Sequence, residues 1–407
     1  MNRIDYPQDR IEQRRPSGTS SSRELRRDLR RVEIPFEFKN NFLVLDVVFD
    51  KRVPLKFILD TGAEHTLLTQ KTITDLLGIP YQRKFTVQGA DLTQYLVAYL
   101  IRNIHLQVEN VRASNHSLLV LEEDYFRFED FTGMNIQGII GADFFRGYTL
   151  QLDYQKQVIT LVAAHLFDKV APDYIQLPIE INRGKPYLQT QVTLQDTITT
   201  PVKLLLDTGA SVSLLLNVNT DTLLQLPATV IPARIGRGLG GDLEGHLGRV
   251  NLLKIGTYKL QEIVTNFQDI PDLVRLEDIN YRNGIIGNEI MSRFSVIIDY
   301  ARSLLYLKPN KQFDKAFECD KSGLQMLATG QYLNDFVVQY ILPDSPAAEA
   351  GIAVGDRVVA INGIGVGFLS LEGLTNRLKR KAGKKIRLKI RRNGEKRRLT
   401  FYLRELI

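Results

Sequence analysis

Most of the chain alternates short apolar runs with turn residues, a pattern that predicts β-strands rather than helices. Between residues 33 and 309 only brief helical stretches are indicated, such as 72–77, which ends at Gly78. The strand pattern begins near Val32, and its first runs are 34–38, 42–49, 53–59, 83–88 and 94–107. The pattern predicts a mainly β fold from about residue 33 onward.

An internal repeat divides this β region into two lobes. Residues 56–63 and 203–210 both read as an apolar run that ends in Asp-Thr-Gly-Ala. An Ile-Ile-Gly triplet and an Asp-Tyr pair follow in each copy, at nearly the same distances. The period is far longer than that of solenoid repeats. We therefore expect two pseudo-symmetric β lobes, at 33–165 and 172–309, joined by a hinge within 164–174.

The ends of the chain differ from this core. Residues 1–32 hold nine arginines against five acids and lack apolar periodicity, which predicts a disordered basic tail. Residues 320–407 form an α+β unit, in which a helix begins at Ser345 and ends before Gly351, and a later one covers 369–381. The last element is a hairpin that turns at Asn393-Gly394.

The repeated aspartates, Asp60 and Asp207, are the candidate chemistry. Each follows an apolar strand, and burying one carboxylate alone at such a position is costly. Two copies brought together can share one proton and act as an acid–base pair on a water molecule.

Composition and charge narrow the function classes. The net charge is +7, but thirteen of the basic residues lie within 376–398, so the centre of the chain is acidic and a nucleic-acid partner is not expected. The single cysteine, Cys319, excludes an internal disulfide. No apolar run is long enough for a transmembrane segment. The start lacks the apolar core of a secretory signal, so the chain as it stands reads as cytoplasmic, or as exported if its start is truncated.

Asp-Thr-Gly-Ala after an apolar strand, with Ile-Ile-Gly about 80 residues later, resembles the aspartic proteases of the retropepsin and pepsin type. The resemblance covers residues 33–309 and implies that Asp60 and Asp207 are the catalytic pair. It also implies that four neighbours support the catalytic loops: Thr61, Gly62, Thr208 and Gly209. Two lobes in one chain imply a monomer of bacterial type, although pairing of each lobe with its twin in a second molecule stays open.

Two departures from the family pattern affect the surroundings of the pair. Glu64 stands where retropepsins usually carry Asp and pepsins Ser or Thr, and the corresponding residue of the second lobe is Ser211, which differs from the retropepsin pattern; Glu64 is interpreted as an ion-pair residue. His65 next to Glu64 suggests a metal site, but no second ligand has suitable spacing, so neither metal nor cofactor is expected.

The resemblance also implies a hairpin flap in each lobe that contacts substrate. In lobe one the candidates are Gln88 and Gly89, and in lobe two Gly238 and Gly240. The glycine-rich stretch 234–248 could also be a phosphate-binding loop. That alternative is disfavoured because no Lys-Ser/Thr follows and acidic residues lie within the stretch.

The third unit resembles a PDZ domain of the kind fused to bacterial proteases, on the stretches 345–356 and 358–363. This resemblance implies binding of an extended C-terminal peptide beside the helix 371–378. The carboxylate would be held by the loop formed by Gly323, Leu324, Gln325 and Met326. The leading hypothesis is thus an aspartic endopeptidase with a peptide-binding PDZ domain. The alternative is an inactive protease fold whose function is PDZ-mediated protein binding.

Overall fold

The computed structural model describes residues 30–88, 95–194, 199–238, 241–270 and 276–407. Strands dominate, which confirms the predicted mainly β fold. The predicted tail lies outside the described residues except for its last three positions, of which 31–32 belong to the first strand.

The first half of the chain folds around an eight-stranded sheet with the order β2-β3-β4-β9-β5-β8-β7-β6. Its strands are long where the sequence alternates and short where a turn residue interrupts it. Helix α1 starts and ends one residue earlier than predicted. The elements of this half are β1 (Arg31–Pro35), β2 (Glu37–Lys39), β3 (Phe42–Phe49), β4 (Val53–Leu59), β5 (Leu67–Leu68), α1 (Lys71–Leu76), β6 (Arg83–Gln88), β7 (Tyr95–Val108), β8 (Val111–Leu121), α2 (Phe128–Thr132), β9 (Gly138–Ile140), β10 (Tyr148–Asp153) and β11 (Val158–Ala163).

The second half repeats this topology, with the sheet order β13-β14-β15-β20-β16-β19-β18-β17. Each strand occupies the place of its counterpart in the first half. The repeat read from the sequence is thus a repeat of structure. The elements are β12 (Ile175–Pro178), β13 (Glu180–Asn182), β14 (Lys185–Thr193), β15 (Thr199–Leu206), β16 (Leu214–Asn217), β17 (Val230–Gly238), β18 (Gly241–Ile255), β19 (Tyr258–Gln268), β20 (Gly284–Ile286), α3 (Asn288–Met291), β21 (Phe294–Asp299) and β22 (Leu304–Pro309).

A six-stranded sheet built from both halves joins the lobes, in the order β1-β11-β10-β21-β22-β12. Its central pair, β10 and β21, is antiparallel, with Leu150 opposite Ile298. Both of these residues are fully buried, and one continuous apolar core runs through both lobes. The two halves therefore fold as one body, which fixes the position of one catalytic loop relative to the other.

The C-terminal unit has its own core and its own sheet, in the order β23-β24-β25-β27-β28 with β26 beside β25. Ser345 caps the first helix by accepting a hydrogen bond from the amide of Ala348, as the sequence predicts. Within the described residues no helix is long and apolar enough to cross a membrane. The elements are β23 (Leu324–Thr329), β24 (Asp335–Ile341), α4 (Pro346–Glu349), β25 (Arg357–Ile361), β26 (Ile364–Gly365), α5 (Leu371–Leu378), β27 (Lys385–Arg392) and β28 (Glu395–Tyr402).

Candidate active site

Each repeated aspartate stands at the end of a buried central strand. Strand β4 runs parallel to β9, and the amide of Asp60 donates to the carbonyl oxygen of Ile140 at 3.0 Å. In the second lobe β15 runs parallel to β20, and the amide of Asp207 donates to Ile286 at 3.0 Å. The apolar runs before the two aspartates supply the buried strands, so the same local sequence positions both carboxyl groups.

The turn after each aspartate orients its carboxyl group. The amides of Gly62 and Ala63 donate to Oδ1 of Asp60 at 2.7 and 2.9 Å, and the amide of Gly209 donates to Oδ1 of Asp207 at 2.7 Å. Backbone amides thereby hold the Oδ1 atom of each carboxyl group. The Oδ2 atom is left to face the other lobe and the cleft.

The two turns face each other so closely that only glycine fits beside each carboxyl group. A Cβ atom on Gly62 would lie 2.6 Å from the carboxyl carbon of Asp207, and one on Gly209 would lie 2.3 Å from that of Asp60. The two carboxyl groups are close enough that each shifts the pKa of the other. The structure thus brings together the two aspartates that the repeat singled out.

The two threonines tie the loops to one another. The Thr61 hydroxyl donates to the carbonyl oxygen of Leu206 at 2.7 Å, and the Thr208 hydroxyl donates to that of Leu59 at 2.9 Å. Each hydroxyl also accepts the amide of the opposite threonine. Both side chains are buried, so these hydrogen bonds are shielded from water.

The strands beneath the loops also require glycine. A Cβ atom on Gly141 would lie 2.5 Å from the backbone of His65, and one on Gly287 would lie 2.1 Å from the carbonyl oxygen of Val212. The Ile-Ile-Gly landmarks are therefore the points at which a second strand passes directly under each catalytic loop.

Electrostatics distinguish the two aspartates. Burial raises the pKa of Asp60 well above its usual range, and the neighbouring Asp207 carboxylate raises this pKa further. Burial also raises the pKa of Asp207, but a hydrogen bond from Asp60, the Gly209 amide and the positive charges of Arg282 and Lys185 oppose that rise. These surroundings favour Asp60 as the protonated member, although the two groups titrate as one coupled pair that shares a proton.

Glu64, in the loop after Asp60, faces two basic side chains, in keeping with its interpretation as an ion-pair residue. Its carboxylate is 3.6 Å from Nε2 of His65 and 3.9 Å from Arg183 of the second lobe. His65 in turn faces Asp143, and a hydrogen bond to that carboxylate raises the pKa of His65. Within the described ranges no group of three or more His, Cys, Asp or Glu side chains could hold a metal ion.

The two predicted flaps are hairpins, formed by β6 with β7 and by β17 with β18. Gly238 ends β17 opposite Gly241. The hairpin tips lie outside the described residues. Of the residues predicted to contact substrate, Gly89, Gly240 and the side chain of Gln88 lie outside the described part of the chain.

A cavity of about 610 Å³ opens above the aspartates, and most of its lining is apolar. The first lobe contributes an aromatic group that the sequence analysis did not single out, around helix α2: Phe126, Phe128 and Phe131. The signal for this group was present, because three phenylalanines at short spacing interrupt an acidic stretch. The cavity also reaches the third unit, at Leu324, Gln325 and Met326.

A side chain of the third unit itself, Asp320, binds the predicted carboxylate-binding loop. The carboxylate of Asp320 accepts the amides of Ser322 at 2.8 Å, Gly323 at 2.6 Å and Leu324 at 3.3 Å. It also accepts the Ser322 hydroxyl at 2.8 Å. The sequence analysis missed Asp320, which lies just before the predicted loop. An aspartate two residues before a Ser/Gly turn is the signal that would have found it.

Comparisons with known families agree with this architecture. The aspartyl protease family matches the chain twice, over residues 45–144 and 190–290, and the PDZ domain family matches residues 337–392. No curated protein shows significant sequence similarity to the chain. The two protease matches contain Asp60 and Asp207 respectively, each with its Ile-Ile-Gly landmark.

Proposed function

We propose that the chain, which matches the aspartyl protease family in both lobes and the PDZ domain family at its C-terminal unit, is an active endopeptidase whose catalytic pair is Asp60 and Asp207. One observation carries this proposal. The two turns face each other so closely that each leaves room for the other's carboxyl group only because Gly62 and Gly209 have no side chain.

The electrostatics suggest how the pair divides the work. Asp207, as the ionised member, accepts a proton from a water molecule held between the carboxyl groups, and the water oxygen attacks the peptide carbonyl carbon. Asp60, which retains the shared proton, donates it to the carbonyl oxygen as charge develops there. The proton on Asp207 then passes to the leaving nitrogen as the C–N bond breaks, and a hydroxyl group of the tetrahedral intermediate returns its proton to Asp60 as the C=O double bond forms again. The pair ends the cycle as it began, with one proton between two carboxyl groups.

Hydrolysis by this route uses only water and the two carboxyl groups, so we propose an enzyme without a cofactor. Since each lobe supplies one aspartate to the same site, we also propose that a single chain is sufficient. The lining of the cleft is dominated by apolar side chains, including Phe42, Phe128 and Leu215. Peptides with apolar side chains around the scissile bond are therefore the substrate class that the cleft favours.

The test is digestion of a defined peptide library by the purified full chain, analysed by mass spectrometry from acidic to mildly alkaline pH. We expect cleavage at apolar sites by the wild type and none by Asp60→Asn. Cleavage that persists in Asp60→Asn would show that the pair is wrongly assigned. A wild type that cleaves no peptide would favour the alternative, a protease fold retained for PDZ-mediated binding.

A further inference from the structure

The PDZ domain is held in a defined position by the segment that precedes it. Arg293, only 4% exposed, donates hydrogen bonds to the carbonyl oxygens of Phe313 at 3.2 Å and Ala316 at 3.3 Å, and to that of Lys315. Its guanidinium group lies 3.5 Å from the ring centroid of Phe317, which is buried in the core of the protease lobes. The connection is thus packed against the second lobe and orients the domain that follows.

The orientation turns the peptide groove of the PDZ domain toward the catalytic pair. Strand β23 and helix α5, the two sides of that groove, line the same cavity as Asp60 and Asp207. The groove residues in this cavity are Leu324, Gln325, Met326, Leu371, Thr375 and Lys379.

The domain also touches both lobes at the rim of the cleft. Helix α2 of the first lobe packs against β23 and α5. On the other side, Nε2 of Gln325 donates to the carbonyl oxygen of Arg234 in β17 at 3.4 Å. The groove is therefore continuous with the protease cleft and is not a separate surface elsewhere on the molecule.

The groove is poorly suited to a peptide C-terminus, because Asp320 already uses two amides of the predicted carboxylate loop, those of Gly323 and Leu324. Asp320 already accepts the amides of Ser322, Gly323 and Leu324. A second carboxylate at this place would compete with Asp320 for the amides of Gly323 and Leu324 and would lie next to its carboxyl group.

The groove does retain the features that bind a polypeptide segment along its length. Strand β23 is an edge strand: β24 pairs with one side, and on the other side no strand of the described chain pairs with it, although helix α2 packs against part of β23. An extended segment can add to such an edge through backbone hydrogen bonds and place alternate side chains against the groove. The buried Met326 and Leu324 offer apolar contacts there.

We propose that the PDZ domain forms a third wall of the substrate cleft and holds an internal, extended, apolar segment of the same polypeptide that is cleaved at Asp60 and Asp207. This proposal rests on the proposed function and assigns to the PDZ domain a part of substrate selection. Two contacts on one chain act together, so long substrates gain over short ones by a factor of about 10² or more.

The proposal is tested by comparing two variants: one places a charged side chain in the groove, and the other places the same side chain just outside it. Thr375 lines the cavity from α5, and its hydroxyl bonds only to its own helix, so Thr375→Arg places a long side chain in the groove. Asn376 is the next residue of α5 and is exposed, so Asn376→Arg adds the same charge outside the groove. Equal thermal unfolding of the two variants would show that both are folded.

The measurement is kcat/KM for two peptides that share one cleavage site, one of about six residues and one of about fourteen, since an extended chain spans ~3.3 Å per residue. We expect the ratio of long to short to be about 10² in the wild type and in Asn376→Arg, and to fall at least about tenfold in Thr375→Arg. An unchanged ratio in Thr375→Arg would overturn the proposal. So would a gain of activity toward both peptides, because the domain would then obstruct the cleft.

A binding measurement separates this proposal from the proposed function. If the wild type cleaves neither peptide, the proposed function fails, and fluorescence anisotropy of the labelled long peptide still tests the groove. Weaker binding to Thr375→Arg than to Asn376→Arg supports the groove assignment, and equal binding overturns it. Amidation of the peptide C-terminus should leave the affinity within about twofold, and a preference of about tenfold for the free carboxylate would contradict the role given to Asp320.

Discussion

Thr61 and Thr208 exchange hydrogen bonds across the boundary between the lobes: the Thr61 amide donates to the Thr208 hydroxyl at 2.9 Å, and the Thr208 amide donates to the Thr61 hydroxyl at 3.1 Å. Each hydroxyl also donates to a strand of the opposite lobe. Because both side chains are buried, neither loop can shift without leaving polar groups unpaired. The spacing of the two carboxyl groups thus depends on two buried threonines next to them in the chain.

Removing one of these hydroxyls should loosen the catalytic pair. Thr208→Val keeps the shape but leaves the Thr61 amide and the Leu59 carbonyl without their partner. We expect a loss of about 2–4 kcal/mol in the free energy of unfolding, measured with urea, together with lower peptidase activity.

Thr149→Val is the matched control for this change. Thr149 is also fully buried, but its hydroxyl has no hydrogen-bond partner within the described residues. The same substitution there should be neutral or stabilising. A similar loss at both positions would mean that the exchange between Thr61 and Thr208 contributes little.

The shared proton predicts a bell-shaped pH dependence. Activity requires one proton on the pair, so kcat/KM should fall at low pH as Asp207 becomes protonated, and at higher pH as Asp60 loses its proton. Because burial and Asp207 hold the pKa of Asp60 well above its usual range, the alkaline limb should lie well above the pKa of an ordinary carboxyl group.

The same shift has a consequence for stability. A carboxyl group whose pKa is raised in the folded state contributes stability below its unfolded pKa, and this contribution is lost as pH rises through the folded pKa. The wild type should therefore lose stability across that range, whereas Asp60→Asn should lose less. Thermal unfolding at a series of pH values measures this difference, and identical profiles would contradict the raised pKa of Asp60.

In the PDZ domain, Asp356 and Arg392 form a two-point ion pair, with Nε to Oδ1 at 2.6 Å and Nη2 to Oδ2 at 2.7 Å. Asp356 is 1% exposed and also accepts the amide of Ala353. Asp356→Asn should cost about 2 kcal/mol of PDZ stability, because it weakens buried hydrogen bonds that have no substitute.

The pH dependence of this pair has the opposite sign to that of Asp60. Burial opposes ionisation of Asp356, but the hydrogen bonds from Arg392 and the Ala353 amide, together with the positive charges of Arg392 and Arg397, outweigh it and lower the pKa of Asp356. The contribution of Asp356 is therefore present above its unfolded pKa and is lost as pH falls through the folded one. Glu395→Gln at the exposed pair with Arg397 should change stability little, and an equal effect at both sites would contradict this account.

The sequence predicted the catalytic loops well because their structure is local. An apolar strand, a sharp turn and a glycine crossing are encoded within a few residues, and the second copy repeats them. The sequence did not predict the sheet that joins the lobes, since the pairing of Leu150 with Ile298 depends on long-range packing. Side-chain alternation within one strand carries no information about its partner in a distant part of the chain.

The sequence did not predict how the PDZ domain packs against the two lobes, for a related reason. It depends on the burial of Arg293 under the connecting segment and on contacts of α2 with β23, which join residues far apart in the chain. The hydrogen bonds of Asp320 to the carboxylate loop are local in sequence and could have been predicted. The resemblance to PDZ domains, however, implies a role only for Gly323 and the residues after it.

The central claim is that the carboxyl groups of Asp60 and Asp207 together hydrolyse a peptide bond. Its most direct test is kcat/KM for one cleaved peptide, measured side by side for the wild type, Asp207→Asn and Asp46→Asn. Asp46 is a fitting control because its side chain is 84% exposed on the surface of the first lobe. We predict that Asp207→Asn falls by about 10³-fold or more while Asp46→Asn matches the wild type. An Asp207→Asn enzyme that cleaves the peptide at the wild-type rate would contradict the account.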